Sequence, residues 1–166
     1  MLEVEIRYRY DDRERLIRRL MEWDAELAED RTDVDQYFNS ADRDFKKTDE
    51  AFRIRSTGSA NCFTYKGPKR DLETKTRTEI EVPLGEGDEV ATDARRLLLA
   101  LGYKPVVVVR KQRQVYRFER GGFPMEACFD EVERVGPFLE LEIMAEEEQY
   151  EASKACLLYT SPSPRD

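Results

Sequence analysis

Charged and apolar residues take turns along this chain, and that period of two limits what it can fold into. From Leu2 to Tyr10, Leu2, Val4, Ile6, Tyr8 and Tyr10 share one side, and Glu3, Glu5, Arg7 and Arg9 share the other. Successive side chains of a strand point to opposite faces, so this segment predicts a strand with one apolar and one charged face. The pattern recurs downstream. Arg53 and Arg55 flank Ile54; Arg77, Glu79 and Glu81 share a side; so do Lys111 and Arg113. Asp130 lies with Cys128, Lys66 lies with Thr64, and Glu140 and Glu142 alternate with Leu139, Leu141 and Ile143. Charged residues make up 39% of the 166, well above the roughly 25% of ordinary globular chains. Composition of this kind often means disorder. Here the alternation of apolar and β-branched residues places the charge on folded elements instead.

Punctuation between these runs divides the chain. Asp11 or Asp12 caps a helix that the spacing of Leu16, Leu20, Trp23 and Leu27 carries to about Leu27. Val34–Asn39 reads as a short strand and Ala41–Glu50 as a polar connection with a helical turn. Ala51–Ser56 and Asn61–Lys66 form a hairpin around Thr57-Gly58-Ser59. Glu73–Val82 is a further strand, stopped by Pro83 and the Gly85–Gly87 turn. Asp88–Leu101 is a second helix, with Val90, Ala94, Leu97, Leu98 and Leu101 as its apolar stripe. Val106–Glu119, Phe123–Glu131 and Phe138–Met144 are strands joined at Gly121-Gly122 and Gly136-Pro137, and Ala145–Ala155 begins a last helix. Eight strands joined largely by tight turns pair antiparallel. Eight is also about the number at which a closed sheet can enclose one small ligand.

The charged faces admit two placements. Antiparallel sheets commonly keep one face solvated, where mixed charge aids solubility. The helices argue for the other arrangement, because their apolar stripes need the apolar faces of the sheet. That would leave the charged rows pointing inward, an environment costly to desolvate unless water, metal and a polyanion fill it. Rows of Arg and Lys suit phosphate oxygens, and rows of Glu and Asp suit a hard divalent cation.

Net charge of −8 argues against a binder of nucleic-acid polymer or of anionic membrane. The chain has no His, which removes Ser–His and Cys–His catalysis and leaves metals that carboxylates hold: Mg, Mn or Ca. Cys62, Cys128 and Cys156 lack metal-ligand spacing, and Cys62 and Cys128 read as small strand residues of a reducing compartment. No leader pattern and no membrane-length apolar run is evident, so a cytoplasmic location is expected. Trp23 reads as helix core, and Tyr37, Tyr65 and Tyr116 as packing residues rather than base readers. Lys46-Lys47, Lys69-Arg70 and Glu146–Glu148 read as solvated segments.

Composition breaks abruptly at Cys156, after which the chain reads CLLYTSPSPRD. All eleven codons of one frame of a common transposase sequencing adapter translate to this string. Residues 156–166 are therefore expected to be foreign, with residues 1–155 forming a single domain truncated at its C-terminus.

The opening Val4-Glu5-Ile6-Arg7-Tyr8, preceded by Glu3, resembles the ExExK signature that begins CYTH domains, also called triphosphate tunnel metalloenzymes. Further resemblances follow in family order: DQYF at 35–38, TDEAFRIR at 48–55, TYKGP at 64–68, TEIEV at 78–82, VVVRKQR at 107–113, CFDEVE at 128–133 and FLELE at 138–142. Each is weak alone; eight in order are specific together. The resemblance implies an α+β fold, an eight-stranded antiparallel closed barrel or tunnel with helices packed outside. It implies metal ligands at Glu3, Glu5, Glu140 and Glu142, binding Mg or Mn. It implies phosphate contacts from Arg53, Arg55, Lys66, Lys111 and Arg113, catalytic roles for Arg7 and Asp130, and further acidic tunnel residues at Glu79 and Glu81. One position departs: the signature lysine is Arg7, which keeps the charge but is bulkier and effectively never deprotonated.

Within the family the resemblance is greatest to class IV adenylyl cyclases. That implies ATP as substrate, with cyclic AMP and pyrophosphate as products. A triphosphate hydrolase acting on tripolyphosphate, a nucleotide or thiamine triphosphate is the second expectation, and a non-catalytic polyphosphate or nucleotide binder the third. The partner implied is a small-molecule triphosphate, with homodimerisation left open.

Overall fold

The computed structural model describes residues 2–161. Its strands are β1 (Leu2–Arg9), β2 (Glu26–Asn39), β3 (Ala51–Thr57), β4 (Ala60–Lys66), β5 (Arg77–Glu86), β6 (Lys104–Arg120), β7 (Phe123–Val132) and β8 (Gly136–Ala145). The helices are α1 (Arg13–Met21), α2 (Phe45–Thr48), α3 (Asp88–Ala100) and α4 (Tyr150–Thr160), with a 3-10 turn at Glu147–Gln149. The strands form a closed barrel in the order β1-β5-β4-β3-β2-β6-β7-β8. The register given for β1–β8, β2–β3, β3–β4, β4–β5 and β7–β8 is antiparallel throughout. The α+β closed barrel that the resemblance implies is the fold observed.

By contact density the described residues divide into two compact units. One is drawn from Met1–Asp30, Lys69–Arg77 and Arg113–Asp166, the other from Arg31–Pro68 and Thr78–Gln112. In the first, Leu2 through Ile6 are all buried, charged residues included. Val4 and Ile6 join Ala127, Phe129, Leu139, Leu141 and Ile143 in a core completed by Leu20 and Leu157, with Leu16 and Trp23 against it. The helices α1 and α4 thus cover the apolar face, and Glu3, Glu5, Glu140 and Asp130 are buried on the other. In the second unit Phe38 and Ile54 pack on Ala94 and Leu98 of α3, with Phe52, Phe63, Leu84 and Tyr103 alongside.

Several boundaries differ from the sequence expectation. Helix α1 stops at Met21 rather than near Leu27. Asp24 takes a left-handed φ of 54°, and the amides of Trp23 and Ala25 both return to the Leu20 carbonyl, closing the helix without a glycine. Leu27 lies instead on β2, exposed, and β2 is fourteen residues long. Strand β5 starts at Arg77, not Glu73, and runs through Pro83 to Glu86. The register of β4 and β5 shifts between Asn61 and Cys62, where Pro83 and Gly85 are the partners. The residue skipped is Leu84, and Pro83, opposite Cys62, sits at the edge of this bulge, where a missing N–H is tolerated. On α3 only Ala94 and Leu98 are buried; Leu97 and Leu101 are exposed. Helix α4 continues through Thr160 with Leu157 in the core, and residues 162–166 of the suspected foreign tail lie outside the described residues. No helix among the described residues is long and apolar enough to cross a membrane.

Candidate metal and phosphate site

Pairing of β1 with β8 fixes the first group of charges. Glu5 stands opposite Glu142, and Arg7 opposite Glu140. On β7, Glu126 and Cys128 stand opposite Glu142 and Glu140. Because side chains alternate, all of these share the face turned from the core formed by Val4, Ile6, Leu139 and Leu141. Arg113, buried, donates Nε and Nη2 to the two oxygens of Asp130, both at 2.6 Å. It also pairs with Glu140, and its Nη1 lies 3.6 Å from Glu142. Arg7 donates Nε to Glu140 and comes within 3.9 Å of Glu5. Glu140 is therefore held between two guanidinium groups. Burial works against the charge on Arg113, but Asp130, Glu140 and Glu142 outweigh it and hold the guanidinium pKa well above its ordinary value.

Glu3, Glu5 and Glu142 each offer a carboxylate oxygen within 4.8 Å of the others. Burial first, then Glu3, Glu140 and Glu5, push the Glu142 carboxyl from 4.5 to about 8, against the opposing pull of Arg113. A carboxyl driven up by its carboxylate neighbours is one that a divalent cation would ionise. The donor set is all oxygen and acidic, which fits Mg or Mn. A second grouping, Glu126, Cys128 and Glu142, also has its ligand atoms within 4.8 Å of one another. Burial and Glu142 raise the Cys128 thiol well above its ordinary pKa, so it is a poor thiolate donor and the oxygen-only group is the better fit.

The second unit has its own polar face. Cross-strand register sets Asp35 against Arg55, Tyr37 against Arg53, and Arg53 against Thr64. Arg55 grips Asp35 bidentately at 2.7 and 2.8 Å. Arg53 donates Nη1 to Asp35 at 3.2 Å and to the Tyr37 hydroxyl at 3.1 Å. Its Nε has no hydrogen-bond partner among the described residues, an unfilled donor of the kind a phosphate oxygen satisfies. Asp33, fully buried, accepts from the Thr57 hydroxyl at 2.7 Å and from Arg31 Nε at 3.1 Å. Burial would raise Asp33 and Asp35, but Arg55 and Lys111 help hold both below the ordinary carboxylate range. Lys66 pairs with Glu79 at 2.7 Å, and Glu81 accepts from Thr64 at 3.1 Å.

Of the residues singled out in the sequence, the structure brings Glu3, Glu5 and Glu142 together, and joins Arg7, Arg113, Asp130 and Glu140 in one ion-pair network. Within the second unit Arg53 and Arg55 share Asp35, Lys111 acts on Asp33 and Asp35, and Lys66 meets Glu79. Sequence reasoning missed Asp33, Asp35 and Lys75. The alternation of Asp33, Asp35 and Tyr37 with Val34 and Gln36 carried the first two. Lys75 sits in what read as strand and is in fact loop, its Nζ 3.3 Å from Glu5.

The CYTH domain profile matches residues 1–157. A protein of Methanocaldococcus jannaschii named "Putative adenylate cyclase" is 41% identical over 142 residues, covering 86% of this chain and 77% of that one. "Adenylate cyclase CyaB" of Aeromonas hydrophila is 28% identical over 149 residues, covering 88% of this chain and 71% of that one. A solved Pyrococcus horikoshii structure, the PH1819 protein, superposes with a TM-score of 0.80 at 34% identity, over 95% of this chain and 86% of that one.

Proposed function

The chain belongs to the CYTH domain family, and from that membership we propose that it is a divalent-metal-dependent enzyme acting on a small-molecule triphosphate, with cyclisation of ATP as its reaction. The observation that carries this reading is the convergence of Glu3, Glu5 and Glu142 within 4.8 Å, one of them driven to a pKa of about 8. Such a cluster is unfavourable alone and favourable around Mg or Mn. When bound, the ion would draw charge from phosphate oxygens.

The remaining roles go to the chain's own side chains. Arg53, Arg55, Lys66, Lys111 and Arg113 supply cationic donors to phosphate oxygens. Asp130 and Glu140 fix the plane of Arg113, and Glu140 also holds Arg7, so these carboxylates orient cations. Asp35 does the same for Arg53 and Arg55. Glu79 and Glu81 position Lys66 and Thr64. Catalysis by such groups is mostly positioning and charge stabilisation. In cyclisation the ribose 3′-hydroxyl gives up its proton to water and its oxygen bonds to the α-phosphorus as the bond to pyrophosphate breaks. The names of the 41% and 28% identical relatives support this over hydrolysis.

A product assay tests the reading. The chain is incubated with ATP, and separately with tripolyphosphate, in Mg and in Mn. Cyclic AMP with pyrophosphate supports the cyclase. Phosphate release from either substrate moves the activity to a hydrolase, and tight binding without product makes the protein a binding module.

A further inference from the structure

Lys75 lies on the loop 67–76 between β4 and β5, and no strand alternation accounts for it. The loop is internally braced. The Asp71 carboxylate accepts from the amides of Glu73 at 2.8 Å and Thr74 at 2.7 Å, and from the Thr74 hydroxyl at 2.8 Å. It is tied to α4 by the Tyr150 hydroxyl and by Lys154 at 3.4 Å. Thr74 and Thr76 are buried, and Lys75 between them is only half-buried. The Lys75 amide donates to the Glu5 carbonyl at 2.8 Å and its ammonium to the Glu5 carboxylate at 3.3 Å.

Arg7 is engaged elsewhere. Its Nε goes to Glu140 and its guanidinium lies 5.5 Å from the centre of the Phe138 ring, so Lys75 is the nearer cation to Glu5. About a third of the Lys75 side chain is accessible (34%), against 7% for Glu5. The ammonium can therefore leave the carboxylate for solvent, or for a ligand, without breaking the loop's own bonds.

We propose that Lys75 is a further substrate-binding residue of this site: it neutralises Glu5 while no metal is bound, and turns to the triphosphate oxygens when a divalent ion takes Glu5. The inference rests on the triphosphate reading above. It assigns to the loop the compact ammonium that position 7 lacks.

Calorimetry on the full chain tests it, with tripolyphosphate in Mg and with Mn alone, for wild type, Lys75→Gln and Lys75→Arg. Tripolyphosphate affinity should fall about tenfold in Lys75→Gln, the loss of one charge-assisted contact, and largely return in Lys75→Arg. Mn should bind Lys75→Gln at least as well as wild type, since a competing cation has gone. Tripolyphosphate binding within twofold of wild type overturns the inference. So does a parallel loss of Mn affinity and melting temperature, which would make Lys75 only a brace for the loop. Wild-type protein that takes up no tripolyphosphate overturns the triphosphate reading, and this inference with it.

Discussion

Glu5 and Glu142 stand directly across from one another on β1 and β8, like charges at a position where sheets ordinarily pair unlike or apolar side chains. The neighbouring pair on the same face, Arg7 and Glu140, is of opposite sign and bonded. The strands could have been neutralised pair by pair and are not. The carboxyl groups of Glu3, Glu5 and Glu142 are gathered in one place, with Lys75 and Arg7 beside Glu5.

This arrangement makes metal-free stability depend on pH. Glu142 has a folded pKa of about 8 against an ordinary 4.5, so between those values the folded state holds a proton that the unfolded state has lost. Stability then falls as pH rises through that window. The melting temperature of chelator-treated protein should drop by roughly 4 °C or more between pH 5 and 8, and Mn should restore it. Asp33 and Asp35 act oppositely: their depressed pKa values cost stability only as pH falls below about 4, outside the Glu142 window. Glu142→Gln should flatten the profile between pH 5 and 8; an unchanged slope in that variant would mean another group is responsible.

Glu5→Gln should abolish metal-dependent turnover while leaving the fold intact. It removes one of three grouped carboxylates and relieves repulsion with Glu142. Product formation with saturating Mn is the measurement, checked beside a thermal melt. Undiminished activity removes Glu5 from the metal site.

Asp35 holds two arginines, so its loss leaves Arg53 and Arg55 poorly paired in a buried setting. Asp35→Ala should cost about 3–5 kcal/mol, read from urea unfolding. A cost below about 1 kcal/mol, the size of an exposed ion pair, would show that the pair is effectively solvated.

Leu157 is fully buried in the core beneath α4, yet it belongs to the stretch that reads as foreign. Leu157→Ala should cost about 2–5 kcal/mol. A chain ending at Ala155 should lose stability similarly while still binding tripolyphosphate, because no residue assigned to metal or phosphate lies beyond Glu142. Equal unfolding midpoints for wild type and Leu157→Ala would remove α4 from the core.

Much of the fold was legible because period-two alternation survives wherever both faces of a strand are constrained. Residues 2–6 and 139–143 pack apolar side chains on one face and bury or half-bury charge on the other, so their pattern was unbroken. The first half of β2, Glu26–Thr32, is mostly exposed; with neither face constrained, Leu27 lent itself to a helical stripe. The stop of α1 was hidden because Asp24 adopts a conformation that usually announces itself as glycine. Pro83 read as a terminator because a bulge depends on the partner strand, which sequence does not display. At the site, same-strand rows could be read directly. What could not be read was which carboxylate meets which cation: Glu140 is sequestered by Arg7 and Arg113, and Glu142, two residues on, joins Glu3 and Glu5. That division follows from register, as does the role of Asp35.

The most direct test of the central claim is the mutual dependence of Mn and tripolyphosphate binding, measured by titrating each in the absence and presence of the other. A site in which Glu3, Glu5 and Glu142 hold the ion and the ion meets the phosphates predicts that each ligand tightens the other by the same factor, tenfold or more, and that this coupling vanishes in Glu142→Gln. Independent binding of the two, or coupling that survives loss of the Glu142 carboxylate, would contradict the account.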